Sequence, residues 1–303
     1  MKNLRDGILD LPLARTALNR DAANRNNAQL VTDLRNSAAT LVLPVWDSKV
    51  LVDEASLRLL SPLVVAEASV WAYLGETSQG QVLLAVLNEQ EALRVAPASE
   101  WVSLRKAGNG LSDQDTGIFV TGLALANWHA THKHCSKCGS QTIVTQSGWV
   151  RYCEADSLEL FPRTDPAVIV AITDADDRLL LGSQGVWEDG RWSILAGFVE
   201  AGESLGEAVA REMYEEAGVK VSDLKFLGSQ AWPFPRSLMF GFSARVEDAS
   251  TLRPDGEEIV RLRFFSREEL LASLSEIILP GRITISRAMI EHWLGQSVAC
   301  KGE

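Results

Sequence analysis

The sequence predicts an α+β fold, a mixed-sheet sandwich with a smaller sheet-rich domain ahead of it, and three observations carry that reading. Short apolar runs bounded by turn residues recur along the chain. Stretches of helical period are few, and strands and helices do not alternate strictly, which argues against a purely parallel βαβ architecture. Finally, 303 residues that are 46% hydrophobic suffice for two or three domains with their own cores. The net charge of −11 and pI near 5.0 argue against binding nucleic acid through phosphate neutralisation, although a local basic patch stays open.

The elements follow in order. "MKNLRDGILDLPLART" has no continuous apolar segment of signal-peptide type, and no run of eighteen apolar residues occurs, so a soluble, cytoplasmic protein without a membrane partner is expected. Between 38 and 95, "ATLVLPVW", "KVLVDE", "SVWAYLGE" and "QVLLAVLN" read as strands of a small sheet. Residues 113–133 lack proline and place apolar residues at helical spacing, predicting a helix. In "AVIVAITDADDRLLLGSQ", Asp174 to Asp177 form a turn between two strands. "LKFLGSQ", "SLMFGFSARVE" and "VRLRFFS" predict further strands, and "SREELLASL" and "SRAMIEHWLG" predict helices with serine caps.

A helix over residues 205–217 is the best-marked element. Ser204 and Glu207 form a capping-box pair, and Gly218 stands where a left-handed C-cap belongs. Its face begins with Leu205, Ala208 and Val209 and ends with Glu212, Glu215 and Glu216. Like charges at these spacings repel unless a cation lies between them. A solvated surface helix with Arg211 as neighbour is the simpler alternative, and the flanking spacing decides between the two. Gly197, five residues, Glu203, seven residues, Arg211-Glu212-Met213, one residue, Glu215-Glu216, one residue and Gly218-Val219 together resemble the Nudix box at every fixed position. That resemblance implies a loop-helix-loop that binds Mg²⁺ or Mn²⁺ and hydrolyses a nucleoside diphosphate linked to another group. Hard divalent cations take carboxylate and phosphate oxygens, as this cluster would require.

Eleven residues further on, "SQAWPFPRS" offers Trp232 and Phe234 as flat stacking surfaces on a backbone restricted by Pro233 and Pro235. Packing of those rings into a core is the alternative. The segment resembles the S-Q-P-W-P-F-P-x-S signature of NADH pyrophosphatases, a Nudix subfamily, with Ala231 in place of the first proline. The resemblance covers roughly residues 100 to 295 and only loosely the part before it. It implies three domains: 1–130 sheet-rich and NADH-pyrophosphatase-like, 131–163 a zinc-ribbon-like module, and 164–298 a Nudix α/β/α sandwich with a mixed sheet. It also implies a homodimer that cleaves NAD(H) to AMP and nicotinamide mononucleotide, and, in some bacterial relatives, removes NAD caps from RNA. By matched position, Glu212 and Glu216 are metal ligands, Glu215 is a further ligand or a base, and Glu258 is an additional acidic ligand. Gln230, Ala231, Trp232, Pro233, Phe234, Pro235, Arg236 and Ser237 contact substrate, and so does the backbone of Ser286. Arg105 is a weaker match to a substrate-binding arginine, with an ordinary exposed helix residue as the alternative. Two departures stand out: Arg261 where many relatives carry glutamate, and Phe161 where they carry a substrate-binding tyrosine.

Cys135-x-x-Cys138 followed by Cys153 has zinc-ribbon spacing, and "TIVTQSGWVRY" between them suits a hairpin. Asp156 occupies the position of the family's fourth cysteine. Zinc held by three thiolates and this carboxylate is expected, with water or His132 as alternative fourth ligands and a metal-free remnant as the simplest one. Three other functions compete with NAD(H) hydrolysis: a Nudix hydrolase acting mainly on ADP-ribose or another dinucleotide, a non-catalytic sensor of NAD-like ligands, and an RNA-binding module centred on the ribbon. The complete box disfavours the sensor, and the acidic charge disfavours the module.

Overall fold

The strand Asp165–Thr173 is apolar at successive positions because both of its faces are covered. In this computed structural model, which describes residues 4–5, 8–15 and 17–301, Val168, Val170 and Ile172 enter one apolar cluster with Ala208, Val209, Met213 and Ala217 of the helix Leu205–Ala217. Ile169 and Ala171 enter another, among Ile285, Ala288, Met289 and Leu294 of the helix Ile285–Leu294 and Leu270 of the helix Arg267–Ser273. Alternation along a strand therefore builds the helix/sheet/helix sandwich that was expected. The remaining positions, 1–3, 6, 7, 16, 302 and 303, lie outside the described residues, and with them part of the predicted 1–130 domain.

The sheet runs Val221–Trp232, Ser237–Val246, Asp165–Thr173, Leu179–Gln184, Ile259–Phe265, with Leu195–Phe198 also paired to Asp165–Thr173. It is mixed: Val170 pairs in parallel with Phe242, and Val168 antiparallel with Gly197. The second pairing delivers the chain from the sheet into the loop before the box helix.

Local chemistry sets the helix ends. Ser204 and Glu207 make both capping-box bonds, and Gly218 adopts the left-handed conformation at φ 69°. Ser266 caps Arg267–Ser273 as expected. The last helix differs from expectation, since its cap is Thr284, whose side chain accepts from the Arg287 amide, while Ser286 is buried inside the first turn. The Thr284 hydroxyl performs the capping chemistry attributed to a serine.

Packing divides the chain into two units. One comprises the described residues up to Ala14, Asp165–Ala231 and those from Ser237 onward. Within it, Leu9 and Leu11 join the apolar cluster of the last helix, and Gln230 accepts from Leu13 N (3.0 Å) and donates to Ile283 O (3.0 Å).

The second unit comprises Arg15–Thr164 and Trp232–Arg236. Leu41–Val45, Gly80–Val86 and Val70–Thr77 form one three-stranded sheet, and Lys49–Asp53 joins Ser56–Leu57 and Trp101–Ser103 in another. The helix Asp113–Thr131 packs so closely on the first sheet that a Cβ at Gly122 would stand 2.4 Å from Leu43 Cδ2. A helix at Glu89–Val95, within the stretch read from sequence as strands, is started by the Asn88 side chain accepting from Glu91 N. The ribbon strands Ile143–Thr145, Val150–Cys153 and Leu158–Leu160 are antiparallel. At the turn between the first two, Gly148 (φ +92°) lies against Ala72, where a Cβ would come within 2.2 Å of the alanine Cβ. Trp149 Nε1 donates to Tyr73 O at 2.7 Å. Behind the turn, buried Arg151 donates to His129 Nδ1 (3.1 Å), leaving Nε2–H to donate to Gly148 O (2.9 Å). Among the described residues, no helix is long and apolar enough to cross a membrane.

Candidate active site

Arg211 organises the acidic end of the box helix. Its guanidinium grips Glu203 through two bonds of 2.8 Å, donates to Phe198 O at 2.9 Å, and reaches Glu212 Oε1 at 2.9 Å and Glu215 Oε2 at 3.0 Å. One cation thus ties the preceding loop to two of the three helix carboxylates. The same contact holds the Glu203 carboxyl down at about 2. Neither Arg211 nor Glu203 was given a role from sequence beyond its place in the pattern. An arginine eight residues from a glutamate across a loop-helix junction carries no local signal.

Glu216 lies differently. It is 5% exposed, its Oε2 has no hydrogen-bond partner among the described residues, and burial together with the charges of Glu258 and Glu212 pushes its pKa up to about 8. Burial also raises Glu212, against the pull of Arg211. Glu258 is exposed and receives a 2.8 Å bond from Gln184 Nε2. An orphaned buried carboxylate oxygen facing further carboxylates is the environment a hard divalent cation relieves, so the residues present fit Mg²⁺ or Mn²⁺. Beside Glu216 is a cavity of about 120 Å³, lined also by Gln184, Trp187, Ser193, Ala196 and Ile259. That volume is far below the roughly 300 Å³ of an organic-ligand pocket.

Gly197 has a steric reason for being glycine. A Cβ there would stand 1.9 Å from Glu212 Cδ and 2.1 and 2.2 Å from its two oxygens. The carboxylate lies against bare backbone on the neighbouring strand, in space no other residue would leave.

The aromatic-proline segment forms the turn after Val221–Trp232. Trp232 and Phe234 have ring centroids 4.7 Å apart, and the Arg105 guanidinium sits 4.8 Å from the first and 4.3 Å from the second. Arg105, exposed on the short helix Leu104–Ala107, is thus brought to the predicted substrate rings. Asn127, not foreseen, donates from Nδ2 to Pro233 O (3.0 Å) and Pro235 O (3.1 Å).

Other predicted positions are distributed. Gln230 is 1% exposed with both ends of its amide engaged as described, so its side chain serves the framework. Ala231, Arg236 and Ser237 are half-buried, with Ser237 opening the strand that pairs with Asp165. Ser286 Oγ meets Ser193 Oγ at 2.9 Å. Phe161 is 61% exposed in the other unit. Arg261 lies over Trp192 at 5.6 Å and pairs with Asp189 at 3.5 Å.

In the ribbon, one ligand atom from each of Cys135, Cys138, Cys153 and Asp156 lies within 4.8 Å of all the others. Cys138 and Cys153 sulfurs are 3.5 Å apart, and Cys135 Sγ is 3.5 Å from Asp156 Oδ2. Tetrahedral zinc at about 2.3 Å from sulfur separates its donors by about 3.8 Å, so this donor set fits zinc. Lys137 Nζ holds the other Asp156 oxygen at 2.9 Å. His132 is outside the cluster, its Nδ1 paired with Thr131 Oγ1 at 2.9 Å.

Residues 163–283 match the NUDIX domain family, and residues 130–161 the NADH pyrophosphatase zinc ribbon domain. The NAD-capped RNA hydrolase NudC of Mycobacterium tuberculosis is 40% identical over 205 residues, covering 64% of this chain and 66% of that protein. The chain thus spans just under two thirds of that relative. The protein of the same name from Pseudomonas syringae pv. tomato is 35% identical over 243 residues, 79% of this chain and 81% of that protein. A solved NUDIX hydrolase from Nitrosomonas europaea is 23% identical over 55% of this chain and 96% of its own, with a TM-score of 0.43.

Proposed function

This chain belongs to the Nudix hydrolases, in their NADH pyrophosphatase branch with a zinc ribbon, and from that membership we propose that it hydrolyses the diphosphate of NAD(H). Water adds to one phosphorus, the bridging oxygen leaves with the other phosphate, and AMP and nicotinamide mononucleotide result. The observation that carries the reading is Glu216, a buried carboxylate with an unpartnered oxygen among like charges. Glu212, Glu216 and Glu258 would hold Mg²⁺ or Mn²⁺, which when bound would offset phosphate charge and acidify water. Arg211 fixes Glu212 and one oxygen of Glu215. Glu215 Oε1 has no partner among the described residues and is available to take a proton from the attacking water. Trp232, Phe234 and Arg105 would grip a flat ring and its phosphate, with Ala231, Pro233, Pro235, Arg236, Ser237, Phe161 and the Ser286 backbone completing the substrate contacts. Gln230 supports that strand from behind. In this reading zinc holds the ribbon together through Cys135, Cys138, Cys153 and Asp156.

The name carried by the relatives supports a second substrate, RNA bearing an NAD cap, cleaved at the same diphosphate. A homodimer in the cytoplasm, and domains bounded at 1–130, 131–163 and 164–298, complete the proposal. The test is a product assay with NADH, NAD⁺, ADP-ribose and NAD-capped RNA side by side in Mg²⁺ or Mn²⁺. AMP and reduced nicotinamide mononucleotide from NADH are expected. Nicotinamide plus ADP-ribose would show glycosidic cleavage and overturn the assignment.

A further inference from the structure

The turn Trp232–Arg236 is poor in backbone donors of its own. Pro233 and Pro235 bring no backbone N–H, and within the turn Phe234 N donates to Trp232 O at 2.7 Å. Its carbonyls therefore turn to donors from elsewhere, side chains or water. A single group meets two of them: Asn127 Nδ2 donates to Pro233 O at 3.0 Å and to Pro235 O at 3.1 Å, one bond on each side of Phe234. The amide is oriented in turn, because Oδ1 accepts from Ser48 Oγ at 3.1 Å and so directs Nδ2 at the turn. Asn127 also stands on a rigid support, the helix Asp113–Thr131, pressed onto its sheet at Gly122. The rings of the same turn carry Arg105 on their faces.

We infer that Asn127 is a positioning residue for dinucleotide binding: residues 15–131 hold the turn that presents Trp232 and Phe234, with Asn127 clamping its backbone and Ser48 aiming the clamp. The inference rests on the reading of those rings as the base-stacking surface. A loose turn would have to be ordered by the substrate, and that ordering would be taken from binding while leaving the chemical step alone.

Two variants of the full chain test it. Asn127→Asp keeps the size and removes both donors. Ser48→Gly removes only the aiming hydroxyl, and glycine suits the left-handed backbone at Ser48 (φ 58°). Asn127→Asp is expected to raise KM for NADH about tenfold with kcat within about twofold, and Ser48→Gly to raise it by about threefold. Independently of any substrate, deuterium uptake of a peptide spanning 232–240 is expected to be about tenfold faster in Asn127→Asp. Unchanged uptake would overturn the clamp, and faster uptake with unchanged KM would overturn its part in binding. A drop in kcat alone would overturn it as well. If Asn127→Asp does not fold, Ser48→Gly decides by the same two readouts. Wild-type protein inert toward NADH would defeat the proposed function instead, and the uptake measurement would then decide the clamp alone.

Discussion

Replacing Gly197 with alanine adds one methyl group, and the structure states what that group meets. The new carbon would stand 1.9 Å from Glu212 Cδ, whereas carbon atoms pack at about 3.5 to 4.0 Å, so the carboxylate must withdraw by roughly 1.5 Å or more. The backbone itself accepts alanine. Gly197 is not among the glycines with positive φ, and its pairing with Val168 uses main-chain atoms only. The obstructing group is the far end of a flexible side chain, which turns away at little energetic expense. Misplacement of a reacting or ligating group by about 1 Å typically lowers turnover by about 10². Gly197→Ala should therefore lower kcat/KM for NADH about 10²-fold and leave the melting temperature within a few degrees. The assay is steady-state hydrolysis in saturating Mg²⁺ or Mn²⁺, beside thermal melts, with the same substitution repeated on Glu212→Ala. On that background no side chain remains to be displaced, and the methyl group should cost nothing further. Activity within threefold of wild type, or an equal additional loss on Glu212→Ala, would refute the reasoning.

Glu216→Gln should lower kcat by at least about 10² with little effect on folding, since burial already pushes this carboxyl up to about 8 and the fold gains nothing from its charge; near-normal turnover would remove it from the active site. His129 sets a pH dependence. Burial lowers its pKa from 6.5 to about 4, so between those values the unfolded chain binds more protons and stability falls as the pH drops, by about 3 kcal/mol at most, levelling off below pH 4. Denaturant melts of His129→Gln should show that part of the slope missing. Elemental analysis of gently purified protein should find one zinc per chain, released by chelator more readily than from Asp156→Cys, and zinc-free protein from metal-replete expression would refute the ribbon site.

What was legible in the sequence was local. Ser204, Glu207 and Gly218 mark the box helix to the residue because caps act within one turn of the chain. The three cysteines were picked out by spacing, since a hairpin of fixed length brings such ligands together, and Asp156 by the resemblance, at the position of the family's fourth cysteine. The functions of Gly197, Asn127 and Arg211 were not legible, because each acts on a group across the fold or across a loop. Gln230 was assigned to substrate by its place in a motif, and no local signal showed that its side chain also holds Leu13 and Ile283, a partnership 217 residues long on one side. The helix Glu89–Val95 escaped notice because its cap, Asn88, follows an apolar strand without a break that pattern alone registers.

That long partnership bears on how the molecule is made. Leu9 and Leu11 leave the ribosome long before the helix Ile285–Leu294, which completes the cluster they enter. The amide that receives Leu13 N arrives in between, on Gln230. Leu9 and Leu11 must therefore wait until that helix has been made, and the sandwich closes only once both are available, a slow, non-local step. A fragment begun at residue 164 would lack the first of these partners permanently. It would expose the apolar surface that Leu9 and Leu11 cover and leave Gln230 Oε1 without its donor, so expression trials of the Nudix segment by itself should meet aggregation, relieved when residues 1–14 are supplied as a separate peptide.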